Sequence, residues 1–534
     1  MRWIWKTTPI VLVTLAFALS VPSLPGLGQP AANTITWGED REVVLLDPRV
    51  TQSRHEAQVI MHIFDTLLFR DFDGKFYPSL AEKWEVSKDG KSITFNLRRD
   101  VKFHDGTEFT AEAVKFTFDS ILDPKLGSQG AIDFLGPYES TQVIDKYTVR
   151  VNWKQPFAAA LTNLSNPWLM GIVSPAAVKK LGDAEFAKAP VGTGPFKFVE
   201  FVPRVRVVLE RNDQYRWAPK AFRHQGPSRI ARLLFRTIPD ASTRMGALEK
   251  GEIDVADAVP PIDVRRFRGS RDFDVVIGDV SGIPLSYLLN TTRPPLDDVR
   301  VRQAIMYAVD RAKVTEQTFF GVAKPAYGPI TTTTPGYWAG VEKMYPYDPG
   351  KARELLEAAG WKPGPGGVRM KGGQPLEVHH ISLLEPELGV PVQAALKEVG
   401  IKYDFETVTK ARQDELVINN QYNVGEIRWV AVDPSVLGIP FYSRNVPEPG
   451  KFKFNWSRFG SPELDRLILQ SDTAVDPAQR NEILARLQRT VLERALIFPI
   501  HISPQPIAFK RSIQGMRFAQ GFWQILFYES TVSR

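Results

Sequence analysis

Residues 80–97 read Leu80-Ala81-Glu82-Lys83-Trp84-Glu85-Val86-Ser87, then Lys88-Asp89-Gly90-Lys91, then Ser92-Ile93-Thr94-Phe95-Asn96-Leu97. Two runs of strand type flank an Asp-Gly pair. Glycine accepts the positive φ of a tight turn, so this segment predicts a β-hairpin. A helix is predicted soon after. Thr110 stands at a capping position, and Val114, Phe118, Ile121 and Leu122 follow at i, i+4, i+7 and i+8 as one apolar face.

Working outward, Val205 to Leu209, Ile230 to Phe235, Phe273 to Ile277 and Tyr287 to Leu289 read as strands. The run from Asp348-Pro349 to Ala359-Gly360 carries every helix device at once. Asp348 can accept from free N–H groups, Pro349 fits the first turn, Leu355 and Leu356 face inward, and Gly360 suits the left-handed position beyond the end. Ser461-Pro462 and Asp476-Pro477 open two more helices, the second reaching about Glu493 with Ile483, Leu484, Leu487 and Val491 inside. Lys362 to Gly373, rich in proline and glycine, reads as a surface loop. No internal repeat is visible. Strands alternating with helices along the chain predict an α/β fold.

Composition narrows the function. The chain has 534 residues, 43% hydrophobic and 24% charged, which is ordinary for a globular protein of about three domains. Its net charge of +7 has no basic block behind it, so nucleic acid is not an expected partner. There is no cysteine, which excludes thiolate nucleophiles, disulfides, cysteine-based metal sites and a lipid-modified N-terminal cysteine.

The first 28 residues read as a secretory signal peptide. Arg2 and Lys6 form a basic start, Ile10 to Leu19 is a short apolar run, and Gly26-Leu27-Gly28 supplies small residues at a cleavage site. About ten apolar residues fall short of the roughly 20 that span a bilayer. The expected mature chain is therefore exported, with a Gram-negative periplasm as its simplest home.

Enzyme motifs fail on inspection. Gly192-Thr193-Gly194 starts like a dinucleotide-binding turn, but Pro195 interrupts and Lys197 holds the third glycine's place. His55-Glu56 starts a zinc-protease motif, but Val59 stands where the second histidine belongs. No Gly-x-Ser-x-Gly elbow occurs. The seven histidines are scattered; His379 and His380, adjacent in a strand, would face opposite sides. Asp297-Asp298 reads as a helix cap rather than an acid/base pair. No catalytic residue, cofactor or metal is expected.

Four blocks resemble extracytoplasmic solute-binding proteins of family 5, the substrate-binding proteins of peptide, dipeptide and nickel ABC importers. They are Leu80–Arg98 with Val101-Lys102-Phe103-His104-Asp105-Gly106-Thr107 and Thr110–Val114; Gly192–Lys197 with Arg211–Tyr215; Asn290 with Pro295–Ala304 and Asp310-Arg311; and Tyr347–Pro349 through Leu355–Trp361. The resemblance implies a type II periplasmic-binding fold of two lobes with an extra inserted sub-domain and a ligand cleft at the hinge. Lobe one would combine 33–72, 190–282 and 503–534, the inserted sub-domain would be 73–189, and lobe two 283–502. Two strands would cross between lobes near Gly282 and near Ser503.

The same resemblance suggests where a ligand would touch. Arg428-Trp429-Val430-Ala431-Val432-Asp433-Pro434 looks like the family's ligand wall, in which a tryptophan is followed three residues later by an aspartate for a peptide's ammonium. Trp429 matches, while Asp433 comes one position late, directly before Pro434, so a helix cap is its other reading. The charged loop Glu39-Asp40-Arg41-Glu42 offers Glu39 and Arg41, Tyr287 and Asn290 lie at the first crossing, and His501 at the second. The resemblance implies a monomeric, non-enzymatic receptor that gives a peptide or similar small polar solute to an inner-membrane ABC permease and its ATPase subunits. An oligosaccharide, opine or metal chelate is the alternative cargo, and an exported hydrolase or a ligand sensor the alternative role.

Overall fold

The computed structural model describes residues 33–51, 53–71, 73–518 and 524–533. The leader expected over residues 1–28 lies outside the described residues. A mixed sheet of seven strands runs in the order Phe273–Asp279, Pro504–Lys510, Val255–Ala256, Thr34–Glu39, Arg232–Thr237, Arg206–Arg211 and Phe196–Val202. A second mixed sheet of six runs Lys324–Pro325, Ile497–Ile502, Gly282–Leu289, Val424–Val430, Glu377–Ser382 and Lys402–Thr407. A separate antiparallel sheet of four contains the hairpin expected at residues 80–97, with Ala81–Val86 paired to Ser92–Leu97 and Gly90 at φ +66° in its turn.

The local signals explain much of this. Ala111–Ile121 is helical and buries Val114, Phe118 and Ile121, although the expected fourth member of that face, Leu122, lies past the helix and is 43% exposed. Asp348 accepts from the Lys351 N–H and opens the helix Pro349–Ala358, with Gly360 at φ +89° beyond its end. Asp476 accepts from Gln479 to open Pro477–Glu493, which buries Leu484, Leu487 and Val491. Such caps each contribute about 1 kcal/mol. The segment 362–373, expected as a loop, instead builds most of a three-stranded ribbon (Lys362–Pro363, Arg369–Lys371, Gln374–Pro375). Its glycines make the turns between very short strands.

Each large sheet has its own apolar core. Ile35, Phe196, Leu209 and Phe235 sit in one, and Leu285, Leu288, Ile305, Leu356, Leu487 and Phe498 in the other. The Gly192-Thr193-Gly194 motif serves packing: Gly194 donates to the Ile63 carbonyl at 2.8 Å, and a Cβ on Gly192 would lie 2.2 Å from that oxygen.

The chain passes between the large sheets at two neighbouring places. Phe273–Asp279 is followed by Gly282–Leu289, and Ile497–Ile502 by Pro504–Lys510. The outgoing strands pair with the returning ones on both sides. Gly282 sits in this passage at φ +115°, where a Cβ would stand 2.1 Å from the Trp429 carbonyl oxygen. Both the positive φ and the close approach require glycine. Gly282→Ala is expected to cost ~2 kcal/mol or more, measured as a lower urea midpoint; an unchanged midpoint would contradict this account of the passage.

Candidate functional site

The end of the first strand, Thr34–Glu39, delivers a charged loop to the mouth of the passage. That loop is held from the following helix, Arg54–Ile63. Glu56 accepts from the N–H groups of Val44 and Leu45 and from the Thr51 hydroxyl. Ser53 caps the helix by accepting from the His55 N–H. Arg54 and His55 are thereby turned toward the loop. Arg54 pairs with Asp40 at 2.8 Å and with Asp257 at 2.7 Å, and His55 Nε2 lies 2.7 Å from Asp40 Oδ1.

From the other sheet, Val424–Val430 contributes Arg428 and Val430. Side chains alternate along a strand, so these two share a face while Trp429 turns to the other. Together with Ser503, Pro504 and Gln505 of the second crossing, Trp168 and Gln524, they enclose a cleft of about 590 Å³. That volume suits a small-molecule ligand. Its lining also includes Asp40, Arg41, Glu42, Ser53, Arg54 and His55, so most of it is polar or charged.

The charges in the cleft are anchored from behind. Burial opposes ionisation of Asp40, but the His55 hydrogen bond and the charge of Arg54 outweigh it and hold its carboxyl well below the usual range. Glu42 pairs with Arg204 at 2.7 Å. Arg428 donates to Glu385 at 2.9 Å, and the other oxygen of Glu385 lies 2.5 Å from His501 Nε2. Arg41 is exposed at the mouth.

Of the residues singled out in the sequence, Arg41 lines this cleft. Glu39 lies directly beneath it, 1% exposed, where burial and then the charge of Asp257 push its carboxyl well above the usual range. His501 is fully buried, packed on Phe319 and one step behind Arg428 through Glu385. Trp429 is half-buried against Phe454, with ring centroids 5.1 Å apart. Tyr287 is buried against His380 in the core of the six-stranded sheet. Asn290 is buried, donating to Asn420 and to the Tyr422 carbonyl and accepting from Thr292. Asp433 lies outside the cleft lining. Asp40 and Glu42, in the charged loop that the sequence offered, line the cleft beside Arg41, while sequence reading left out Arg54, His55, Trp168, Arg428, Gln505 and Gln524 as site residues. Alternation about Trp429 was the available signal for Arg428; no local pattern marks the others.

Residues 75–445 match the family described as bacterial extracellular solute-binding proteins, family 5 middle. The chain belongs to this family. It is 27% identical over 500 residues to the glutathione-binding protein GsiB of Escherichia coli (strain K12), covering 91% of this chain and 92% of that one. The structure of NikA from Brucella suis in complex with Fe(III)-EDTA superposes with a TM-score of 0.83 at 27% identity, covering 94% of this chain and all of that one. AgaA from A. tumefaciens R10, in complex with agropinic acid, gives 0.70 at 25% identity, covering 94% and 99%. The fold is thus the type II two-lobed binding fold, and both the family and these relatives are binding proteins rather than enzymes.

In this family 5 protein Asp433 serves structure. It caps the short turn Pro434–Leu437 by accepting from the Ser435 N–H, and both its oxygens accept from Arg480, at 2.9 and 2.7 Å. Asp472 lies half-buried beside the pair, with its Oδ1 turned inside. Burial, and then the negative charge of Asp433, raise its carboxyl to about 7. The folded state therefore keeps a proton that the unfolded chain releases above about pH 4, so this group's stabilisation falls as pH rises from about 4 to about 7. Asp472→Asn is expected to remove that slope. The difference in urea-unfolding free energy between variant and parent should widen across this window and level off above it; a constant difference would contradict the assignment.

Proposed function

We propose that the chain is the periplasmic receptor of an ABC importer, capturing a peptide or similar small polar solute between its lobes and presenting it to an inner-membrane permease and its ATPase subunits. The observation that carries this reading is the polar cleft with Arg41 on one wall and Arg428, braced by Glu385, on the other. A solute bridging both walls binds the closed form more tightly than the open form, and that difference drives closure. Moving the closed fraction from about 1% to about 99% takes about 5.5 kcal/mol of differential affinity, within the roughly 8 kcal/mol of a micromolar ligand. No covalent step is needed.

In this reading lobe one comprises 33–72, 190–282 and 503–534, the inserted sub-domain 73–189 and lobe two 283–502, with hinges at Gly282 and Ser503. Residues 1–28 are the export signal, and the mature protein works as a monomer. One relative is named for glutathione and two others are seen in complex with Fe(III)-EDTA and with agropinic acid, molecules of different skeletons, so the family alone does not choose a cargo. The pairing of Asp433 with Arg480 favours a solute held through acceptor groups by the cleft arginines over one held there by a free ammonium.

The test is purification without refolding, followed by mass spectrometry of any bound small molecule. The identified solute is expected to bind one per chain, to return chemically unchanged, and to shift tryptophan fluorescence through Trp168. Arg428→Ala should weaken it at least tenfold by calorimetry, in line with loss of a charge-assisted hydrogen bond. A solute that is hydrolysed, or affinity untouched by Arg428→Ala, would overturn the reading.

A further inference from the structure

Beneath the cleft, residues from three separate elements converge. Glu39 ends the first strand, Asp40 follows it, His55 lies in the first turn of the next helix, and Asp257 follows the short strand Val255–Ala256. One ligand-type atom from each lies within 4.8 Å of all the others. Within the group Asp40 and Asp257 have partners: Arg54 bridges them, and Asp257 also accepts from Gln505 and the Ala258 N–H. Glu39 differs. It is 1% exposed, its carboxylate is directed into the group, and neither oxygen meets an N–H or O–H donor; what it faces instead is the Asp257 carboxylate, a like charge. Leaving such a group unpaired costs several kcal/mol unless something neutralises it.

We propose that Glu39, Asp40, His55 and Asp257 form a site for one divalent first-row cation, such as Zn²⁺ or Mn²⁺, at the floor of the cleft. Three carboxylate ligands and one imidazole suit such ions. These bond oxygen and nitrogen at about 2.0–2.2 Å, so the ligand atoms of a tetrahedral site stand about 3.3–3.6 Å apart. A group no wider than 4.8 Å closes onto the ion by sub-ångström movements. Charge agrees in sign. Arg54 pairs with two of the three carboxylates, while the Arg244 guanidinium is committed to the backbone carbonyls of Ile238, Pro239, Asp257 and Ala258. Glu39 is the carboxyl of the three that the Arg54 pairs leave over. His55 can be recruited: Ser53 Oγ lies 3.1 Å from Nδ1 and can accept a proton there, so release of the proton that Nε2 shares with Asp40 would expose its lone pair to the ion. Asp40 and His55 line the cleft, which gives the ion a path from solvent.

The site is independent of what solute the cleft carries, so it is tested with metal alone. The mature full-length chain, stripped with chelator and dialysed, is titrated calorimetrically with ZnCl₂ and with MnCl₂. One high-affinity site per chain is expected, at least tenfold weaker in Glu39→Gln and in His55→Ala. His379→Ala should leave it unchanged, because His379 sits apart on the surface near Asp404 and Glu406. Far-UV circular dichroism of each variant controls for folding. No stoichiometric binding to the parent, or equal binding by Glu39→Gln, would overturn the proposal and leave the group holding only a proton.

Discussion

Two neighbouring strand passages constrain everything else in the molecule. The first carries the chain from the seven-stranded sheet to the six-stranded one and the second carries it back, and in each sheet the two arms are hydrogen-bonded to one another. Ladder bonds make each arm continuous with its sheet, and the residues outside both ladders are Val280 and Ser281, just before Gly282, on one side and Ser503 on the other. The cleft lies against this joint, with Ser503, Pro504 and Gln505 in its wall. A ligand there is at the pivot, where a small rotation changes the distance between walls least and the contacts on both can be kept.

The fold was legible wherever a segment is decided locally. The Asp-Gly turn, the Asp-Pro helix openings and the periodic stripe of residues 477–493 are read from neighbours within a few positions, and the structure contains each of them. Where local logic failed, the cause was local too. Leu122 continued an apolar stripe one residue past the last helical turn, and the Pro/Gly-rich segment at 362–373 had too few strand-type residues to signal its ribbon.

The site was legible only in part, and sequence separation is the reason. Arg54 meets Asp257 from 203 residues away, and Glu385 meets His501 across 116. Neither pairing leaves a periodic or motif trace, because tertiary topology brings the partners together. The same limit hid the carboxylate–histidine group. His55 was weighed against a histidine four residues on, the spacing a helix would need, whereas its carboxylate neighbours come from the first strand and from beyond residue 250. Asp433 shows the converse. Its place before Pro434 was a local signal for a cap, and the cap is what the structure contains, strengthened by Arg480.

The bracing of Arg428 joins recognition to the joint. Its guanidinium is held by Glu385, which is held in turn by His501, two residues before the second passage at Ser503. A carboxylate between two cationic partners is worth most when both stay in place, because removing one leaves charge desolvated and unpaired. Arg428, Glu385 and His501 form one chain of contacts on the six-stranded side of the cleft, and it ends two residues short of Ser503. Across the cleft, Arg54 ties Asp40 and Asp257 together behind the facing wall. Both walls therefore hold their charges in place before a solute arrives, so a small polar solute meets charges already oriented and desolvated in part by their own partners.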